Sequence, residues 1–493
     1  MKSRELFETY FEVLRHSQLT VYNPVASLEF PVDQFILAIK EVETLLNSKL
    51  EGSESRVGII AGNSPFFLST LLGIWASHRS AVLISPSLRM SEALKLSEVA
   101  NLKHFFICNA YHATWTKQSS FPSIDKVSSL NYDVVSLYRS LTHVAPSDGL
   151  IGEEAVVLFS SGSTAQPKGI RISSKNLLTN IVATNKILPL VDGDECLPLS
   201  PMSHAAGLRF SLSALISSAH LHTVGVPCFP DVANMLVSKG SITHVSANPY
   251  IISGLLERGL GGSRYPCPNL RAMTTGGGPI KKNLVRRFYE CLPHATLTHL
   301  YGLSEATSVV AGGILSPDET AVNVGKFVDS VEMKVTDDQE LWLRGDSLML
   351  GYLNENPWPR DEWFPTGDLV EIDEVGNLSI TGRKKNIVVR AGRNVNPVEI
   401  EAALAEHQGC EDSFVFGVDS EEDRGEDLVA FVVSRDKSLR PEDFISSLRD
   451  RLSSYKVPSE LYIVDKIERT PMRKVIKESV LREYSMLKRK SGE

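Results

Sequence analysis

Val57-Gly58-Ile59-Ile60-Ala61-Gly62-Asn63-Ser64-Pro65, followed by Ser80-Ala81-Val82-Leu83-Ile84-Ser85-Pro86, decides the fold. The run from Val57 to Asn63 reads as a buried strand that ends in a turn, because its apolar residues are continuous and glycine and asparagine close it. Ser64 and Pro65 then offer a cap and a first helical position for a helix through Leu68, Leu71, Leu72 and Trp75. The run from Ser80 to Ser85 is a second strand, stopped by Pro86. A strand, a crossing helix and another strand form the unit of a parallel sheet, so an α/β architecture follows.

The alternation continues to roughly residue 310, including the strand-like run Ala155-Val156-Val157-Leu158-Phe159, which feeds a polar loop. Beyond Gly325 the pattern changes. Val331-Glu332-Met333-Lys334-Val335 and Leu341-Trp342-Leu343 alternate as half-exposed antiparallel strands do. A further change follows Gly382. Asn396-Pro397-Val398-Glu399 predicts a helix start with asparagine as cap and glutamate placed to close a capping box. Ile400, Ala403 and Leu404 give that helix its apolar stripe, and Gly409 is expected to end it. Strand-like runs at 414–418 and 428–433, a helix at 444–452 and a strand at 461–464 complete a small α+β unit of about 110 residues.

A chain of 493 residues is too long for one ordinary core. The expected division is a large N-terminal α/β domain built in sub-lobes, 1–384, and a small mobile C-terminal α+β domain, 385–493. With 42% hydrophobic and 22% charged residues the composition is that of a soluble globular protein. A net charge of -8 argues against a general nucleic-acid binder, which needs clustered positive charge. Cys108, Cys196, Cys228, Cys267, Cys291 and Cys410 lack zinc-type pair spacing, and scattered cysteines fit a reducing compartment. The stretch from Met1 to Leu6 has no signal-peptide apolar run, and no segment reaches membrane-spanning length without polar residues. A cytoplasmic, soluble protein is expected, with the basic Lys488-Arg489-Lys490 tail solvated.

The chemistry begins at Ser160-Ser161-Gly162-Ser163-Thr164-Ala165-Gln166-Pro167-Lys168-Gly169, directly after a strand. Hydroxyls, backbone N–H groups and one lysine in a single loop suit a polyphosphate. This is not the Walker loop, which needs Gly-Lys followed by Ser or Thr. Further along stand Thr274-Thr275-Gly276-Gly277-Gly278-Pro279, Tyr301-Gly302-Leu303-Ser304-Glu305 and Phe364-Pro365-Thr366-Gly367-Asp368-Leu369. Gly382-Arg383-Lys384-Lys385, Pro397-Val398-Glu399-Ile400-Glu401 and Arg469-Thr470-Pro471-Met472-Arg473-Lys474 complete the set. In this order, from Val57 to Lys474, the chain resembles the adenylate-forming superfamily: acyl- and aryl-CoA synthetases, peptide-synthetase adenylation domains and firefly-type luciferases.

The resemblance implies a residue-by-residue site. Ser160, Ser161, Gly162, Ser163, Thr164 and Lys168 would hold the ATP phosphates. Tyr301 would stack on adenine, with Gly276, Gly277 and Gly278 letting backbone approach the ring. Ser304 keeps the hydroxyl of the commoner threonine. Glu305, with Thr164, would hold Mg²⁺, which favours one or two carboxylates plus phosphate oxygens. Asp368 would accept the ribose hydroxyls, with Arg383 on the same sugar or a nearby phosphate. Lys474 would offset the charge that builds as a carboxylate attacks the α-phosphate. Lys385 would be the hinge of the C-terminal domain. His204, in Pro201-Met202-Ser203-His204-Ala205-Ala206-Gly207, is either an aromatic gate beside the acid pocket or a satisfied core histidine. Ala205 stands where amino-acid-activating relatives carry an aspartate, which favours a simple carboxylic acid. Arg209 is expected to face solvent, the alternative being a partner for an anionic substrate group.

Five positions depart from the family pattern. Ala165 replaces a loop glycine, Ser304 a threonine, Gln339 the glycine of a Gly-Glu-Leu, Asn386 an acid beside the hinge, and Arg473 the glycine before Lys474. The implied reaction is acid plus Mg-ATP giving acyl-AMP and pyrophosphate, then transfer of the acyl group to a thiol. CoA is the expected thiol. The alternative is the phosphopantetheine arm of an acyl carrier protein. A more distant alternative is a non-catalytic nucleotide-binding protein, supported only by Arg473 and Ala165.

Overall fold

The strand–helix–strand reading holds in the computed structural model, which describes residues 3–16, 20–23, 28–50, 56–88, 90–108, 123–127, 135–139, 153–159, 168–224, 230–318, 323–390, 393–419, 426–470 and 475–491. Arg56–Ile60 and Ser80–Ile84 run parallel, with Val57 opposite Ala81 and Ile60 opposite Ile84. Between them lies the helix Pro65–Ala76. The Ser64 hydroxyl accepts a hydrogen bond from the Phe67 N–H at 3.2 Å, satisfying one donor that the first turn leaves open. Every residue of this helix is buried, which is why its sequence is apolar on all sides rather than along one stripe.

The chain divides into two compact units: Met1–Glu332 with Leu343–Trp363 and Glu374–Leu378, and Met333–Trp342 with Phe364–Asp373 and Ser379–Glu493. Among the described residues the first unit holds two large sheets. One has eight strands, and its centre runs Gly169–Ser173, Glu154–Phe159, Ser80–Ile84, Arg56–Ile60, His104–Cys108 in spatial order. The other has nine, with the parallel run Glu195–Pro198, His244–Ser246, Ala272–Gly276, Thr296–Gly302 at its middle. Sequence-distant strands lie side by side in both, as crossover connections require.

A buried ionic cluster ties four adjacent strands of the eight-stranded sheet together. Glu154 is fully buried at the start of its strand. Arg56 donates to both carboxylate oxygens, at 2.8 and 2.9 Å, Arg171 to one at 2.9 Å and the Ser80 hydroxyl to the other at 2.8 Å. Burial works against the charge on Glu154, but the two guanidinium groups outweigh it and hold the carboxyl below the usual carboxylate range.

In the second unit the strands Met333 onward differ from the alternating expectation. Glu332–Val335 is exposed along its whole length and forms the edge of its sheet. Leu341 and Leu343 are buried on either side of a half-buried Trp342, as the alternation predicts. The helix Pro397–Ala405 begins at Asn396, whose side chain accepts from the Val398 N–H at 3.1 Å. The predicted capping box does not form. Lys456 takes the Glu399 carboxylate at 2.6 and 2.7 Å, so that side chain does not return to the cap. The helix also stops at Ala405, short of Gly409. Ile400 and Leu404 face Val415, Leu428, Phe444 and Leu448 in one core over the sheet Cys410–Asp419, Glu426–Ser434, Glu460–Ile463.

Cys196, Cys267, Cys291 and Cys410 are free thiols. Among the described residues no helix is long and apolar enough to cross a membrane.

Candidate functional site

Two neighbouring strands of the nine-stranded sheet bring the glycine run and the aromatic residue together. Ala272–Gly276 and Thr296–Gly302 are parallel, with Gly276 opposite Leu300, so Gly277 and Gly278 leave the sheet beside Tyr301. Tyr301 is half-buried, and Gly277 adopts φ +75°. The backbone thus turns sharply beside the strand end that carries Tyr301.

The register breaks immediately after Tyr301, which pairs with Ala311 while Gly302 pairs with Val309. A Cβ on Gly302 would sit 1.5 Å from the Ser308 carbonyl oxygen, so this bulge admits no side chain. Gly302→Ala should therefore lower stability by about 1–3 kcal/mol, through forced backbone movement. Thermal unfolding checks this, and an unchanged midpoint would mean the bulge can open.

The bulge leads into the short 3₁₀ turn Ser304–Ala306, which presents Glu305 half-buried. The Tyr352 hydroxyl donates to Glu305 Oε1 at 3.2 Å. Burial first, and then the Glu305 charge, push the Tyr352 phenol up, so it stays a donor. Lys168 lies over the same ring, its Nζ 4.4 Å from the centroid, and pairs with Glu355 at 3.3 Å. Tyr352 reaches this position because it pairs with Ile170 in the strand that Lys168 precedes. Sequence reasoning missed Tyr352. Its only local signal is an aromatic residue after glycine, while its two contacts are far away in the chain.

His204 is half-buried and caps the helix Ala205–Ile216 without using its side chain. The loop before it is held from the other sheet by Asn63. The Asn63 amide donates to the carbonyls of Pro198 and Ser200, at 3.0 and 2.9 Å, and accepts from the Met202 N–H at 2.7 Å. Asn63 is buried, and these bonds satisfy it. Arg209 does not face solvent as expected: it is 2% exposed, because the helix carrying it lies inside the unit.

In the second unit Asp368 is 2% exposed and held by Arg383, Nε to Oδ1 at 2.5 Å and Nη2 to Oδ2 at 3.2 Å. The Thr366 hydroxyl accepts the Asp368 N–H at 3.1 Å, and Gly367 turns at φ +71°. Thr366, Gly367, Arg383, Lys384 and Lys385 line one pocket. Lys384 pairs with Asp338 and Glu340 at 2.6 and 2.9 Å, which hold its ammonium above the ordinary lysine range. Lys385 lies exposed in the 3₁₀ turn Lys384–Asn386. The loop 160–167, with Ser160, Ser161, Gly162, Ser163, Thr164 and Ala165, and the segment containing Arg473 and Lys474 lie outside the described residues.

Comparison with known proteins adds an independent finding. The family model described as AMP-binding enzyme matches residues 44–353, and that described as AMP-binding enzyme C-terminal domain matches 399–474. A 2-succinylbenzoate–CoA ligase of Listeria monocytogenes is 27% identical over 352 residues, 68% of this chain and 71% of that protein. A 4-coumarate–CoA ligase-like protein of Arabidopsis thaliana is 26% identical over 473 residues, 86% of this chain and 81% of that one. Naringenin synthase of Pestalotiopsis fici is 30% identical over 343 residues, 65% of this chain, and the match spans only 12% of that longer protein. Among solved structures, ATP-bound MatB from Rhodopseudomonas palustris superposes with a TM-score of 0.82 at 22% identity, covering 98% of this chain and 99% of that one. The similarity is one of fold.

Proposed function

Because the chain belongs to the AMP-binding enzyme family, we propose that it activates a carboxylic acid with Mg-ATP and passes the acyl group to CoA. The observation that carries this reading is the register that sets Gly277 and Gly278 beside Tyr301, followed at once by Glu305. An adenine ring fits such a place, flat against the phenol with backbone polar groups at its edge. Glu305, held by the Tyr352 hydroxyl, is the carboxylate for Mg²⁺, with Thr164 as the second protein ligand. Ser304 offers its hydroxyl to the nucleotide. Ser160, Ser161, Gly162, Ser163 and Thr164 cradle the phosphates. Lys168 joins them, since its surface ion pair with Glu355 is worth about 0–1 kcal/mol and a polyphosphate outcompetes it.

In the first step an oxygen of the acid attacks the α-phosphorus, the bond to the bridging oxygen breaks, and pyrophosphate leaves. Lys474 offsets the charge on the phosphoryl oxygens at that moment. Asp368 accepts from the ribose hydroxyls, and Arg383 orients that carboxylate. In the second step the CoA sulfur attacks the adenylate carbonyl, AMP departs, and the thiol proton goes to solvent. Residues 385–493 move about Lys385 between the two steps, and His204 gates the acid. One of these relatives is named a CoA ligase and another CoA ligase-like, which supports CoA as the acceptor.

ATP–pyrophosphate exchange across short, long-chain, aromatic and amino acids, followed by product analysis with CoA, tests the proposal. Acid-dependent exchange and an acyl-CoA product are expected. Exchange without a thioester would transfer the acceptor role to a carrier protein. ATP binding without exchange for any acid would sink the adenylation reading.

A further inference from the structure

We propose that the acid taken by this site carries a second carboxylate, and that Arg209 receives it. The proposal rests on the adenylation reading above and names its substrate class.

The helix Ala205–Ile216 starts directly after His204, and Arg209 lies one turn past Ala205, about 6 Å along the axis. Ala205 and Ala206 precede Arg209 by four and three positions, so all three share a face. Ala205 is half-buried and Ala206 exposed, and each carries only a methyl group on the turn that precedes Arg209. The Arg209 side chain is itself buried. Its Nε and Nη1 have no hydrogen-bond partner among the described residues. No carboxylate pairs with it there. The Phe210 ring lies 5.9 Å away, at the outer limit of a cation–π contact, and does not replace an anion. Ser213, one turn further on the same face, also has a buried hydroxyl without a partner among the described residues.

Proteins bury charges paired, because an uncompensated ion in a low-dielectric interior is costly. Burial lowers Arg209 only to about 10, so near neutral pH it remains a cation. A planar guanidinium whose Nε and Nη1 are both open offers a carboxylate a donor on either side, each forming a fork with the Nη2 between them. The reacting carboxylate is committed to the α-phosphate, so the group at Arg209 is a second one on the same molecule. A dicarboxylate whose far end is lost or capped leaves the arginine buried and unpaired, which is the strongest form of discrimination a binding site can apply.

The test compares succinate, glutarate, adipate and the benzene dicarboxylates, each beside its monoamide, by pyrophosphate exchange with wild type, Arg209→Met and Arg209→Lys. At least one dicarboxylate should exceed its monoamide by about thirtyfold or more in kcat/KM with wild type. Arg209→Met should bring that ratio to about one, and Arg209→Lys should leave an intermediate ratio, since the charge stays but the fork is lost. Arg209→Met should fold with an unchanged or raised melting temperature, because a methionine replaces an unpaired ion. A wild-type ratio near or below one for every pair overturns the proposal, as does a high ratio that survives Arg209→Met. Exchange with no acid at all would count against adenylation, not against Arg209. Thermal stabilisation by a dicarboxylate but not by its monoamide, in wild type and not in Arg209→Met, would then still support the assignment, and its absence would overturn it.

Discussion

Replacing Glu154 by alanine should destabilise the first unit by about 3–5 kcal/mol, more than any other single change discussed here. The reason is what the substitution leaves behind. Arg56 and Arg171 stay buried, having lost the carboxylate that both oriented them and cancelled their charge. Their side chains are 7% and 6% exposed, too little for water to take over. Urea unfolding of wild type and Glu154→Ala measures the loss. A difference under about 1 kcal/mol would mean the cluster relaxes into solvent. The pH dependence has a definite sign. The folded-state pKa of Glu154 lies below its unfolded value of about 4.3, so the ionised cluster contributes its full stability above that value. The contribution is lost as pH falls through the folded pKa. The gap between wild type and Glu154→Gln should therefore be constant near neutrality and shrink in acid.

Lys474→Ala should lower acid-dependent pyrophosphate exchange by about a hundred- to a thousandfold. Thioester formation from supplied acyl-AMP and CoA should survive it. The separation follows from charge. Attack of a carboxylate on the α-phosphate gathers negative charge at one centre, whereas a thiol attacking an adenylate carbonyl has no need of a cation at the phosphate. Single-turnover assays of each half-reaction read the two effects apart. Equal loss in both would give Lys474 a structural role.

What could be read in advance from the chain was local. Ser64, Pro65 and the apolar runs on either side determine one strand–helix–strand unit, because caps and turns act within a few residues. Asn396 works the same way. The motif residues Gly276, Gly277, Tyr301 and Glu305 were legible as types, and the parallel register explains why those at adjacent strand ends meet. The features that escaped are joined across long stretches of chain. Glu154 finds Arg56 and Arg171 through strand order, and Tyr352 meets Glu305 and Lys168 through an edge pairing. The Glu399 side chain looks committed to its own helix until Lys456 takes it. Arg209 was misjudged because a charged side chain is usually exposed, and only the packed surroundings of its helix reverse that.

The Asn63 amide has a bearing on how this protein could be re-tooled. It holds the loop ahead of His204 by three hydrogen bonds from the other sheet. Gly207 is equally constrained, since a Cβ there would lie 2.2 Å from the Pro201 carbonyl oxygen. A saturation library aimed at new acids should therefore leave positions 63 and 207 invariant and spend its diversity on Ala205, Ala206 and Arg209. Randomising the whole loop would mostly return misfolded clones, and their inactivity would be mistaken for narrow substrate tolerance.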